Sequence, residues 1–134
     1  MHRYLDQAVR RYDYVDRVAR CHGATFLLFW QPCWWVETAP VAPAVQDQAQ
    51  KNIILGDGWA LQKNYVLVYN ALLDRLKDKP YFVDFRNILC SRQQPVYESD
   101  GVHLNPTGDR LVAARMSACL KNKFGERLAL SGQQ

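Results

Sequence analysis

Asp100 and His103 are the residues of this sequence whose types and spacing best suit catalysis. They lie in the stretch YESDGVHLNPTGDRLVA, residues 97–113, and Gly101 between them permits a tight backbone path. Residues three apart in a loop can turn their side chains together. A carboxylate that accepts the Nδ1 hydrogen of an imidazole fixes its tautomer, and Nε2 can then act as general base toward a hydroxyl nucleophile. The pattern therefore predicts two of the three groups of a catalytic triad.

The same two residues have two simpler interpretations. Short patterns such as Asp-x-x-His occur often by chance, and Asp100 could cap a local turn while His103 packs on the start of a helix. A metal site is the other alternative, but it needs further ligands, and His2 and His22 lie in and just after the first predicted helix. The cysteines are far apart and lack metal-like spacing. We predict no metal and no cofactor.

Helices and strands alternate along the chain. Apolar residues at spacings of three and four predict helices at 4–21 and 59–77. Continuous apolar runs at 24–31 and 80–85 are typical of strands that are covered on both faces of a parallel sheet. A third helix follows the Asp100 loop. The order helix, strand, helix, strand, helix predicts an α/β fold with parallel strands.

The first and the last predicted helix each have an apolar face. The last helix should begin at Pro106, with Asn105 as its N-cap and Asp109 near the positive end of its dipole. Its predicted inner face is Gly108, Leu111, Val112, Met116, Cys119 and Leu120. The predicted apolar face of the first helix is Tyr4, Leu5, Ala8, Val9, Tyr12, Val15, Val18 and Ala19.

Composition excludes several classes of protein. The 134 residues suffice for one domain, and an apolar fraction of 49% with 22% charged residues is typical of a folded protein. The net charge of +4 is spread along the chain without a basic stripe, so we predict no nucleic-acid binding. No apolar run approaches the roughly 20 residues of a membrane span.

The longer pattern Y-x-S-D-G-V-H-L-N-P-x-G at 97–108 resembles the last conserved block of the SGNH (GDSL-like) hydrolases. The stretches GATFLLFWQP, NYVLVYNALLDRL and YFVDFRNIL match the order of strand, helix and strand in a subgroup of these enzymes. The resemblance covers nearly the whole chain and is poorest at residues 33–58. It implies a partial flavodoxin-like three-layer α/β/α sandwich, in which residues 1–134 form a single, incomplete domain.

Carried over to this sequence, the resemblance makes His103 the general base and Asp100 its orienting carboxylate. It implies an ester or acylated small molecule or carbohydrate as substrate. The family's serine stands in a Gly-Asp-Ser block, which normally precedes the segment with which this sequence begins. We therefore expect the C-terminal portion of an ester or acyl-group hydrolase, inactive alone. The alternative is a non-catalytic binding or assembly module with the same scaffold.

A nucleophile is not evident in the sequence. None of the serines stands in a strand-to-helix turn that would expose its hydroxyl above a sheet. The serines are Ser91, Ser99, Ser117 and Ser131. ILGDGWA, residues 54–60, mimics the family's serine block, but Gly58 replaces the serine. Cys33 is the candidate thiol, and no neighbour in the sequence would activate it.

Trp30, Gln31 and Trp34 follow the first predicted strand toward its carboxyl end, where ligands bind in open α/β sheets. They are predicted to line a substrate pocket, with Gln31 donating to the substrate; packing of the tryptophans on a partner is the alternative. The strand itself is typical of one with two neighbours, yet only one other strand is predicted. An open apolar edge invites pairing. We therefore expect self-association or pairing with a missing N-terminal segment.

Overall fold

The computed structural model describes residues 2–37, 58–90, 92–98 and 100–131 of the chain. The elements in chain order are helix α1 (His2–Cys21), strand β1 (Leu28–Trp30), a 3-10 helix (Trp34–Val36), helix α2 (Gly58–Leu76), strand β2 (Phe82–Asp84) and helix α3 (Pro106–Ser131). The two strands are parallel, with Leu28 opposite Phe82 and Trp30 opposite Asp84. The described residues therefore form a small α/β fold, as the alternation of elements predicts.

The two faces of strand β1 have different neighbours. Successive side chains of a strand point to opposite faces, so Trp30 and Phe29 face different ways. The ring of Trp30 contacts that of Tyr69 in α2, with 4.8 Å between the centroids. Phe29 contacts Phe85, with 4.9 Å between the centroids, and lines a cleft together with Val112 of α3.

Helix α1 is joined to the start of β2 by a polar cluster. The Asp13 carboxylate accepts hydrogen bonds from Lys79 Nζ at 2.8 Å and from the Tyr81 hydroxyl at 2.8 Å. The Lys79 ammonium holds the pKa of Asp13 below its usual value, against the opposing effect of burial. Leu5, near the start of α1, is fully buried. The cluster therefore fixes α1 beside the start of β2.

The apolar core connects α1 and α2 with the segments that follow the two strands. Its buried members are Leu5, Cys33, Val36, Tyr69, Leu73, Leu76, Tyr81, Phe85, Leu89, Cys90 and Val96. Cys33, Val36 and Tyr69 form one cluster, against which Trp30 and Trp35 pack. The residues directly after β1 are thus part of the core.

The predicted strands are longer than the observed ones. The 24–31 run contributes only Leu28–Trp30 to the sheet, and the 80–85 run only Phe82–Asp84, because the ladder between them spans three residues on each strand. The predicted apolar face of α1 is also too wide. Tyr4, Val15 and Val18 are 64%, 44% and 39% exposed, since no other described element covers that side of the helix.

Helix α3 begins where the sequence predicts, but most of its predicted inner face is not buried. Gly108 is buried, whereas Leu111 and Leu120 are 41% and 37% exposed. No helix or strand in the described part of the chain packs extensively on α3. None of the described helices is long and apolar enough to cross a membrane.

Candidate active site

The loop between β2 and α3 forms a short hairpin with Asp100 and His103 at its tip. Tyr97 and Leu104 make an isolated antiparallel bridge at its base. The Glu98 N–H donates to the His103 carbonyl at 2.8 Å, and the Asn105 N–H donates to the Val96 carbonyl at 3.0 Å. The backbone of the loop is therefore fixed by its own hydrogen bonds.

The Asp100 carboxylate organises the tip of this loop. Its Oδ1 accepts hydrogen bonds from the backbone N–H groups of Val102 and His103, each at 2.9 Å. Its Oδ2 lies 2.5 Å from His103 Nδ1. An ionised carboxylate can only accept, so the neutral ring must carry its proton on Nδ1 and leave Nε2 as a base. The contact predicted between Asp100 and His103 is present.

Gly101 allows the loop to make this turn. Its φ is +71°, in the left-handed region that glycine adopts without strain. A Cβ atom at this position would lie 2.7 Å from Trp35 Nε1. Glycine is therefore required here both by the backbone conformation and by the close approach of the indole ring.

The segment after β1 holds the loop from the other side. The Gln31 side-chain amide donates to the Val102 carbonyl at 3.1 Å. The Gly101 carbonyl accepts from the Trp34 N–H at 3.0 Å and from the Cys33 thiol at 3.5 Å. These contacts place the Asp100 loop at the carboxyl end of β1, where open α/β sheets bind their ligands.

The two side chains change each other's proton affinity. Partial burial acts to raise the pKa of Asp100, but the hydrogen bonds from His103 and Val102 outweigh it and lower the pKa below its usual value. The hydrogen bond to Asp100 and its negative charge raise the pKa of His103 above 6.5. The ring is thus held as a stronger base than a free histidine, while its side chain is 78% exposed.

His103 borders a cleft of about 520 Å³ between the sheet and α3. The walls are mainly apolar, and Asp109 and Gln31 add polar groups. The lining residues are Phe29, Gln31, Pro32, Phe85, His103, Leu104, Asp109, Val112 and Met116. A concave, largely apolar site with a base at its edge is the usual form of a small-molecule site.

The three residues predicted to line a substrate pocket have different places. Gln31 does line the His103 cleft, but its amide donates to Val102. Trp30 lines a separate apolar groove of about 480 Å³ with Tyr69 and other residues of α2. Trp34 lies in the 3-10 helix, and its backbone N–H holds the loop. The structure therefore does not bring the three side chains together in one pocket.

Among the described residues that line the cleft, none carries a hydroxyl or a thiol. Ser117 is exposed on α3, and Ser91 and Ser99 lie outside the described residues. Gly58 is the first residue of α2, and Ser131 is the last of α3. Burial raises the pKa of Cys33 to about 11, so its thiol stays protonated at neutral pH and is a poor nucleophile.

A buried polar network below the loop is not evident in the sequence. Arg92 Nη1 donates to both carboxylate oxygens of Glu37, at 2.7 and 2.8 Å, and the Tyr97 hydroxyl donates to Glu37 Oε1 at 2.7 Å. Glu37 and Arg92 are 55 positions apart and neither belongs to a motif. Of the three residues of the network, only Tyr97 lies within the pattern at 97–108.

Comparison of the chain with models of protein families, with characterised proteins and with solved structures found no match. The geometry of the site and the sequence pattern at 97–108 are therefore the basis on which a function can be assigned.

Proposed function

We propose that Asp100 and His103 are the orienting carboxylate and the general base of an ester or acyl-group hydrolase of the SGNH type. The observation that carries the proposal is the 2.5 Å contact between the Asp100 carboxylate and His103 Nδ1, in a ring that borders a cleft. The serine nucleophile and the oxyanion donors would come from a polypeptide segment other than those described.

The chemistry follows from the protonation of the ring. Nε2 of neutral His103 would take the proton of a serine hydroxyl as the oxygen attacks the ester carbonyl, and the imidazolium would then protonate the leaving alcohol. The Asp100 charge stabilises the imidazolium that forms in between. Only the neutral ring can act as a base, so the rate should increase with pH as the ring loses its proton. The raised pKa of His103 places this increase above pH 6.5.

The cleft supports a substrate that is partly apolar. Phe29, Phe85 and Met116 offer surface for an acyl chain, whereas Asp109 can accept hydrogen bonds from hydroxyl groups. An acylated small molecule or carbohydrate has both kinds of group. We include this class of substrate in the proposal.

The open edge of β1 supports a larger parallel sheet than the two described strands form. The Leu28 N–H donates to the Tyr81 carbonyl, and the Trp30 carbonyl accepts from the Phe85 N–H. In a parallel ladder these groups alternate, so the N–H and C=O of Phe29 point to the other edge, where no described strand lies. A further strand at this edge, from another polypeptide segment or from a second copy, would extend the sheet toward a flavodoxin-like sandwich.

Proline at position 29 tests the open edge. Phe29→Pro removes an N–H group that β2 does not use, and Phe29→Ala is the matched control because it loses the same ring but keeps the N–H. We expect self-association of the wild type and of Phe29→Ala in size-exclusion chromatography with light scattering, and a monomer for Phe29→Pro. A monomeric wild type would remove the second copy as the occupant of this edge.

Hydrolysis of p-nitrophenyl acetate tests the proposed activity. The isolated chain should be no faster than free imidazole at the same concentration, since loss of the nucleophile of a triad costs on the order of a million-fold in rate. Fusion to the polypeptide encoded directly upstream, if it carries a Gly-Asp-Ser block, should create turnover. In that protein Asp100→Asn should lower kcat on the order of ten-thousand-fold.

His103→Ala should abolish the turnover of the fused protein, whereas His22→Ala, which removes another exposed histidine, should leave it unchanged. Full turnover in His103→Ala would refute the proposal. Turnover by the isolated chain that His103→Ala abolishes would place the nucleophile within this sequence.

A binding or assembly module is the second candidate function. The apolar groove of Trp30, Tyr65, Val68, Tyr69 and Leu72 favours it, because this groove is separate from the His103 cleft. If partner binding is the function, Trp30→Ala should weaken association and His103→Ala should not, whatever the esterase activity.

A further inference from the structure

The contact between Glu37 and Arg92 is a buried ion pair with a tyrosine attached. The side chains of Arg92 and Glu37 are only 1% and 2% exposed. Arg92 Nη1 also donates to the Leu89 carbonyl at 2.9 Å, and its guanidinium lies over the Tyr97 ring, 5.1 Å from the centroid. The network therefore joins the residue after the 3-10 helix, the turns after β2, and the base of the Asp100 loop.

This buried ion pair has a large desolvation penalty. The two charges lose their hydration when the chain folds, whereas a well-packed apolar pair of similar size would not have this penalty. In addition, Arg92 Nε and Nη2 have no hydrogen-bond partner among the described residues. A buried ion pair of this kind indicates a role in fixing geometry rather than in stability alone.

The position of Glu37 connects the two ends of the loop that holds His103. Glu37 directly follows the 3-10 helix Trp34–Val36, whose first residue donates its N–H to the Gly101 carbonyl at the tip. The Glu37 carboxylate accepts from Tyr97, which pairs with Leu104 at the base. One short segment, residues 34–37, thus contacts the loop twice. Its backbone donates a hydrogen bond at the tip, and its Glu37 side chain accepts one at the base.

We propose that Glu37, Arg92 and Tyr97 are positioning residues that hold the Asp100–His103 pair in contact and aim the imidazole at the cleft. The catalytic consequence rests on the proposed function, but the positioning itself is a property of this chain. Small displacements of catalytic groups are costly, so a rigid support below the loop has a clear use.

Two tyrosine-to-phenylalanine substitutions provide a matched test. Tyr97 donates to Glu37 at 2.7 Å and Tyr81 donates to Asp13 at 2.8 Å, so Tyr97→Phe and Tyr81→Phe each remove one hydroxyl from a carboxylate without a change of charge. The readout is the pH titration of the His103 ring by NMR, with the signal assigned by its loss in His103→Ala. Asp100→Asn gives the value for a ring without its carboxylate.

We expect Tyr97→Phe to lower the pKa of His103 toward the value in Asp100→Asn, and Tyr81→Phe to leave the pKa of His103 at its wild-type value. Both substitutions should lower Tm, because each removes a partly buried hydrogen bond. A lower Tm with an unchanged pKa of His103 in Tyr97→Phe would overturn the proposal and leave the network a purely structural role.

Glu37→Gln is the second variant, and it should lower the pKa of His103 further if it folds. The titration needs no substrate and no nucleophile. A pKa shift in Tyr97→Phe would therefore support the positioning role even if the fused protein failed to hydrolyse esters, and ester hydrolysis without such a shift would support only the proposed function.

Discussion

The Asp100 loop and helix α3 are neighbours in the chain, yet they are held in opposite ways. The loop at 96–105 has hydrogen bonds at its base, at its tip and to the segment after β1. Helix α3 is anchored at its first turn, where the Asn105 side chain accepts from the N–H groups of Thr107 and Gly108. Beyond that turn its apolar residues, such as Leu111 and Leu120, are exposed.

This difference separates the Asp100 loop, which the chain holds in place by its own contacts, from helix α3, whose apolar residues are left exposed. The contacts that fix the Asp100–His103 pair come from this chain, among the residues that the structure describes. We propose the exposed apolar residues of α3 and the open edge of β1 as the surfaces on which a further polypeptide would pack. This is the arrangement expected if one segment supplies the base and another the nucleophile.

Two glycines of α3 test whether its first turn is packed more tightly than the rest of the helix. At Gly108 a Cβ atom would lie 2.3 Å from the Val96 carbonyl oxygen, whereas at Gly125 it would meet no atom within 4 Å. Gly108→Ala should destabilise the fold by about 3 kcal/mol, since backbone cannot move away easily. Gly125→Ala should stabilise it by about 0.5–1 kcal/mol through better helix propensity.

Urea unfolding followed by circular dichroism measures both glycine substitutions. Equal, small effects would mean that the first turn of α3 is no more tightly packed than the rest of the helix, and the contrast would be lost.

A second pair of glycines isolates the tip of the loop. Gly101 and Gly23 have similar φ values, +71° and +68°, but an added Cβ atom would collide with Trp35 at Gly101 and would meet no described atom within 4 Å at Gly23. Gly23→Ala should cost about 1 kcal/mol from the left-handed backbone alone. Gly101→Ala should cost about 2 kcal/mol, because the indole must also move.

The same substitution should disturb the dyad. We expect Gly101→Ala to lower the pKa of His103, measured by NMR titration, and Gly23→Ala to leave it unchanged. If both variants lose the same stability and keep the same pKa, the contact with Trp35 does not hold the loop.

The smallest expected effect is the pH dependence of the Asp100–His103 pair. The pKa of Asp100 is lowered on folding, so its contribution to stability is present above pH 3.8 and is lost as the pH falls through the folded value. The pKa of His103 is raised, so its contribution is fully present below pH 6.5 and is lost as the pH rises through the folded value.

The difference in free energy of unfolding between wild type and Asp100→Asn should therefore be largest between pH 3.8 and pH 6.5. It should be small, because His103 is 78% exposed and water screens the pair. Urea unfolding inside and outside this window measures it. A difference that does not vary with pH would mean that the pair carries no charge interaction.

Local signals in the sequence predicted much of this structure. Asn105, Pro106 and Asp109 fixed the start of α3, because N-cap chemistry depends on neighbouring residues only. The contact between Asp100 and His103 is also local, three residues apart. Apolar spacing located α1 and α2 to within one or two residues.

What the sequence did not reveal depends on residues far apart in the chain. The length of β1 is set by its partner β2, and the exposure of Leu111 by the lack of a described element above it. The Gln31 amide donates to the Val102 carbonyl, 71 positions away, a contact that no local pattern indicates. The Glu37–Arg92 pair has no local signature at all, since each residue alone resembles an ordinary surface charge.

The position of the proton on the neutral His103 ring tests the central claim most directly. Nitrogen-15 NMR of the ring, recorded above the pKa of His103, distinguishes a proton on Nδ1 from one on Nε2. If Asp100 orients His103 as a general base, the proton lies on Nδ1 in the wild type, and Asp100→Asn loses this preference. A wild-type ring with its proton on Nε2 could not use Nε2 as a base and would contradict the assignment of Asp100 and His103 to catalysis.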